Sequence, residues 1–129
     1  MKLKIKVTKD ILKESSMCGV GLQYGSEGFG QHMQSNCAIT KACRDLFPGC
    51  YTTVLNIKND LFGNLWSIDL PEIAQRFIYK FDLSTPEERI FMPELEFEVE
   101  LTDEVLAAIN IEEAREALKN STTLELIEV

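Results

Sequence analysis

The sequence predicts a single small α+β domain with a mixed or antiparallel sheet of about five strands and three to four helices. Three observations carry this prediction. The chain has 129 residues with 45% apolar content, enough for one core and too little for two. Residues 2–7 and 94–101 alternate apolar and charged side chains, the period of a half-buried strand. Residues 38–46 and 73–81 instead repeat apolar side chains at helical spacing. No repeat, low-complexity tract or linker interrupts the chain.

The elements follow in order. Leu3, Ile5 and Val7 alternate with Lys2, Lys4 and Lys6, which predicts the first strand, and Thr8 is placed to cap a short helix carrying Ile11 and Leu12. Residues 15–36 lack a period and hold Gly19, Gly21, Gly25, Gly28 and Gly30, which predicts a long loop. A helix should follow, capped by Ser35 or Asn36 and ended by Pro48-Gly49. Ala38, Ile39, Ala42, Cys43 and Leu46 would face the core, with Thr40, Lys41, Arg44 and Asp45 on the polar side.

Residues 51–57 are rich in β-branched side chains and predict a strand. A turn at residues 59–64 would join it in a hairpin to a second strand at residues 65–68. Asp69 and Pro71 open a helix whose stripe is Ile73, Ala74, Phe77, Ile78 and Phe81, and residues 84–88 read as a turn. In PELEFEVEL, Leu95, Phe97, Val99 and Leu101 share one face and Glu94, Glu96, Glu98 and Glu100 the other. Thr102 should cap a short helix through Ala108. Asn110 with Glu113 should start another to residue 119, before a final strand at residues 123–129.

Charge is divided unevenly. Residues 1–81 hold 10 Lys+Arg and 7 Asp+Glu, whereas residues 82–129 hold 3 Lys+Arg and 14 Asp+Glu. An overall charge of −8 argues against direct nucleic-acid binding, which needs a basic patch. The start, MKLKIKVTKD, does not lead into an apolar signal segment, and no run is long enough to cross a bilayer, so a cytoplasmic protein without a membrane partner is expected. Cys18, Cys37, Cys43 and Cys50 lack the spacing of a disulfide framework and are expected to be free thiols.

The segments KIKVT, ILKES, NCAITKACRDLFPG, VLNI, WSIDLPEIAQRFIYKFD and MPELEFEVEL together resemble a family of small, uncharacterised bacteriophage and prophage proteins. That family has a helix start of the form CP(I/V)ALAL, a helix ending FI..FD and a PF.FE strand. The similarity spans roughly residues 1–101, with Ala38 where the family has Pro and a longer glycine loop before Cys37. The resemblance implies a phage accessory protein, acting in the host cytoplasm, and assigns no active site.

Four constellations are candidates for function. The glycine loop runs into a helix start, where backbone N–H groups and the helix dipole attract anions. With Lys41 and Arg44 it defines a ligand-binding set of Tyr24, Ser26, Phe29, His32, Ser35, Asn36, Cys37, Lys41 and Arg44. Its glycine spacing matches neither a P-loop nor a dinucleotide fingerprint. Cys37 with His32 is a candidate nucleophile and base, a thiol at a helix start being acidified by the dipole. The cysteines and His32 show no paired zinc-ligand spacing, so no metal or other cofactor is expected. Finally, Glu94, Glu96, Glu98 and Glu100 stand roughly 7 Å apart, comparable to phosphates along a nucleic-acid strand.

The expectation is therefore a protein that acts by binding. Its first form is a phage accessory protein that sequesters a small anionic or nucleotide-like ligand near residues 25–44 to counter host defence. The alternative is an acidic inhibitor or nucleic-acid mimic that presents Glu94–Glu100 to a host protein. A cysteine-dependent enzyme is the third form, and a homo-oligomer is compatible with all three.

Overall fold

The alternation of Lys and apolar residues at the start of the chain builds β1 (Lys2–Val7), the central strand of the first sheet. Leu3, Ile5 and Val7 are fully buried while Lys2, Lys4 and Lys6 point to the other face. The computed structural model describes residues 1–15, 37–53, 55–59 and 66–128. β1 pairs antiparallel with β5 (Leu95–Glu100) on one side and β6 (Leu124–Ile127) on the other. The inner face of β5 contributes Leu95, Phe97 and Val99 to the core. Burying each such side chain stabilises the fold by roughly 1.5–3 kcal/mol.

The helices of the first half are short. α1 (Lys9–Glu14) starts at Thr8, whose hydroxyl accepts from the Ile11 N–H at 3.4 Å, as expected. α2 (Ala38–Ala42) has only five residues and lies against β1 and α1. Its cap is Cys37, without a side-chain cap bond, which corrects the assignment to Ser35 or Asn36. Thr40 also departs from its expected outward place. It is 1% exposed, and its hydroxyl meets that of Thr52 at 2.7 Å, a pairing that satisfies both groups inside the core. After α2 the chain turns at Pro48-Gly49, where Gly49 has φ 83° and the Cys50 N–H bonds the Phe47 carbonyl. A positive φ at the third turn position, after proline, is the type II arrangement that favours glycine.

The second sheet is local in sequence: β2 (Tyr51–Thr52), β3 (Asn56–Asn59) and β4 (Trp66–Asp69), all antiparallel in that order. The single strand expected over residues 51–57 is a hairpin. Thr53 breaks it because its hydroxyl accepts from the Leu55 and Asn56 N–H groups and donates to the Asn56 side chain, closing a tight turn. The expected turn at residues 59–64 lies mostly outside the described residues, but the hairpin it joins, β3 with β4, is present. Trp66, Ile68 and Ile57 are buried, and Trp66 packs on Phe47 with ring centroids 4.8 Å apart.

α3 (Glu72–Leu83), with twelve residues, is the longest described helix. Ala74, Phe77, Ile78 and Phe81 form its buried stripe. Ile73, expected in that stripe, is 53% exposed. It lies about 100° round the helix from Glu72, at the boundary of the outer face. The turn expected at residues 84–88 instead starts a helix, α4 (Pro86–Ile90). Thr85 and Glu88 make a reciprocal capping box and Pro86 occupies the first turn, where a missing N–H costs nothing. Arg89 fastens α4 to α3: its Nε donates to the Phe81 carbonyl at 2.8 Å and its guanidinium lies 4.6 Å from the Phe81 ring centroid.

α5 (Asp103–Ala108) and α6 (Ile111–Leu118) begin at Thr102 and Asn110, both of which accept a backbone N–H from three residues on. The α+β class therefore holds, with six strands in two antiparallel sheets and six helices among the described residues. One core cluster runs through both sheets and the helices.

Candidate functional site

The residues expected to bind an anion divide into two groups. Tyr24, Ser26, Phe29, His32, Ser35 and Asn36 lie outside the described residues. Of the remainder, Cys37 is fully buried and disulfide-bonded, so it offers no thiol to a ligand or substrate. This corrects the expectation of free thiols at that position and removes Cys37 as a nucleophile. Lys41 sends its ammonium to the Glu14 carbonyl at the end of α1. Burial lowers its pKa, with Glu14 acting in the opposite direction and Arg44 adding to the lowering. Arg44 is exposed.

The other two described cysteines are equally unsuited to nucleophilic chemistry. Cys43 and Cys50 are free and buried. Burial pushes the Cys43 thiol well above its ordinary range, with Cys50 adding to the effect. Burial also raises Cys50 to about 12, although Arg44 and a backbone hydrogen bond oppose it. Both stay protonated near neutrality, and a thiol is a poor nucleophile. No group of three or more His, Cys, Asp or Glu among the described residues is placed to hold a metal ion.

The acidic row is real but not free. In the β1–β5 register Glu100, Glu98 and Glu96 stand opposite Lys2, Lys4 and Lys6. The Lys4 ammonium lies 3.8 Å from Glu96 and 3.7 Å from Glu125 of β6. Lys6 is 3.9 Å from Glu94, and the amino group of Met1 is 3.6 Å from Glu100. Glu94 also accepts the Lys9 N–H at 3.0 Å. The basic and acidic parts of the sequence thus interleave on one sheet face. Glu98 is exposed beside them.

Open grooves line the surface of the described residues. One of about 110 Å³ lies between Lys4, Lys6, Thr122 and Glu125, too small for the roughly 300 Å³ or more of a typical ligand pocket. A wider one, about 360 Å³, is lined by Ser67, Asp69, Thr102, Asp103 and Glu104, whose carboxylates repel an anion. No helix among the described residues is long and apolar enough to cross a membrane.

The surface feature that sequence reasoning missed is apolar. Phe91 is 82% exposed and Leu83 77%, with Tyr79 and Ile90 about half exposed. Tyr79 and Leu83 are four residues apart on the outer face of α3, and Ile90 and Phe91 follow at the end of α4, which Arg89 ties to that end of α3. Leu55 and Ile73 extend the exposed apolar residues toward the other end of α3, since the Leu70 N–H bonds the Leu55 carbonyl. The sequence did hold a signal: Thr85-Pro86-Glu87-Glu88 is a helix start, and recognising it would have placed Ile90 and Phe91 on a helix end.

Comparison of the chain with protein-family models, with curated proteins and with solved structures finds no match.

Proposed function

We propose that this protein acts by binding a protein partner, and that the partner docks on the outer face of α3 and the end of α4. The observation that carries the reading is the exposure of Phe91 and Leu83, at 82% and 77%. Singly exposed hydrophobic side chains are ordinary, but Leu83, Ile90 and Phe91 cluster where the ends of α3 and α4 are tied together. Arg76 and Lys80 lie on the same outer face, where Arg76 is already paired with Glu72 at 2.5 Å. The partner surface is therefore chiefly apolar. A role as a binding accessory protein accords with the phage resemblance of the sequence. The small-anion form of that role is less well supported, because Lys41 is engaged with Glu14 and Cys37 is buried.

The test is site-specific photo-cross-linking in the cells that make the protein. A photoreactive residue at position 91 or 83 should give discrete protein adducts, and the same residue at position 98, on the charged sheet face, should give none. Adducts from position 98 alone would transfer the interface to the acidic row and end this reading.

A further inference from the structure

A separate groove lies where the segment after α2 meets the start of α6. Its volume is about 280 Å³, and Leu46, Ile109 and Ala114 form its apolar floor. Leu46 and Ile109 are half-buried against the core, and Ala114 is 3% exposed. Ala108 and Ala117 stand beside them, and their short side chains leave the space unfilled. Three hydrogen bonds hold the walls in place. The Ser121 hydroxyl donates to Asp45 at 2.9 Å, the Thr123 hydroxyl donates to the Ala42 carbonyl at 2.8 Å, and the Asn110 side chain accepts the Glu113 N–H at 3.1 Å. The rim is acidic: Asp45 and Glu113 line the groove, and no cation among the described residues forms an ion pair with either. The cations of α6 and its end are engaged elsewhere, Arg115 with Glu112 and Glu128 and Lys119 with Glu116.

We infer that this groove docks a short basic segment of a partner protein, with an aliphatic side chain on Leu46, Ile109 and Ala114 and a lysine or arginine reaching Asp45 and Glu113. Charge complementarity selects this occupant. A purely apolar segment would cover two carboxylates without pairing them, and an anion would be repelled. An aliphatic residue next to a cation satisfies the floor and the rim together. The groove falls just short of the roughly 300 Å³ at which small-molecule pockets begin and is open to solvent, so it suits a side chain presented by a larger partner. The net charge of −8 attracts a basic segment over distance, and the two carboxylates fix its register on arrival. The site lies apart from the α3–α4 face and stands without that reading.

Nuclear magnetic resonance of the isotopically labelled full chain at physiological salt tests the inference, with a tetrapeptide of two leucines between two arginines as the probe. Its addition should shift the amide signals of residues 45, 46, 109, 113 and 117. The peptide with serines in place of the leucines should not do so, nor should the one with glutamates in place of the arginines. Glu113→Gln should weaken binding about two- to fivefold, the worth of one exposed ion pair. Ala117→Arg places a side chain and a cation in the groove from an exposed helical position. It should abolish the shifts without changing the far-ultraviolet circular dichroism. Equal shifts from the serine peptide would mean charge attraction without a docking site and overturn the inference, as would no shifts at millimolar peptide. Shifts at residues 83 and 91 in place of the groove would also overturn it, while leaving the α3–α4 reading intact.

Discussion

Two outward surfaces of this molecule have opposite chemistry. The open face of the β5–β1–β6 sheet is ionic, and its ions are largely satisfied within the fold, Lys4 alone lying between Glu96 and Glu125. The outer side of α3 and the end of α4 instead expose large apolar side chains among their charges, and nothing among the described residues covers Leu83 or Phe91. Exposed ion pairs are each worth about 0–1 kcal/mol, whereas covering a large apolar side chain recovers roughly 1.5–3 kcal/mol. A surface rich in charge can thus have little left to offer a partner, while a few uncovered hydrophobic residues hold most of the available binding energy.

The largest expected effect separates the two sides of one strand. Phe97→Ala on the buried side of β5 should destabilise the protein by about 3–5 kcal/mol, read from urea denaturation. Glu98→Ala, next to it on the outer side, should change stability by less than about 0.5 kcal/mol. Comparable losses from the two would mean that the charged face contributes far more than its screened pairs allow.

A middle-sized effect sharpens the apolar side. Thr85→Ala removes the cap of α4 and should cost about 1 kcal/mol, with greater amide hydrogen exchange at residues 87–91. The same cap is sensitive to acid. The Thr85 N–H holds the Glu88 carboxylate below its ordinary pKa, with the Thr85 hydroxyl accepting from the Glu88 N–H alongside. A depressed carboxyl contributes stability above its unfolded pKa and loses it as pH falls through the lower folded value. The protection difference between the parent and Glu88→Ala should therefore shrink below about pH 4. A difference that grows on acidification would contradict the assigned cap.

The smallest effect belongs to the ionic face. Lys4→Ala should cost at most about 1 kcal/mol, and the cost should fall further in molar salt, where screening acts within about 3 Å. Thermal melts of the two proteins at low and high salt provide the measurement. A cost independent of salt would show that Lys4 acts through its hydrocarbon stem and not its charge.

The first sheet was legible in the sequence because alternation is a local signal: Leu3 to Val7 and Leu95 to Val99 declared their buried faces without reference to anything else. The caps at Thr8, Thr102 and Asn110 were legible for the same reason. What failed depended on side chains with two meanings. Thr53 reads as a strand former, yet its hydroxyl closes a turn. Pro86 reads as a breaker, yet opens a helix. The acidic row was visible, but its neutralisation was not, because Lys4 meets Glu96 and Glu125 only through a register between distant segments. Nor does apolar periodicity say which hydrophobic residues a fold leaves uncovered, which is why the exposure of Phe91, Leu83 and Ile73 emerged only from the structure.

That same strand register bears on the order in which the molecule assembles. The β2–β3–β4 sheet joins segments that follow one another, whereas β1 must wait for β5 and then for β6, pairing Lys2 with Glu100 and with Ile127. Closing loops that long before any contact rewards them makes non-local pairing the slow part of folding. Until β6 arrives, one edge of β1 stands open with its three lysines alongside. Their mutual repulsion discourages the wrong neighbour from another chain at the stage when the strand is most open to it.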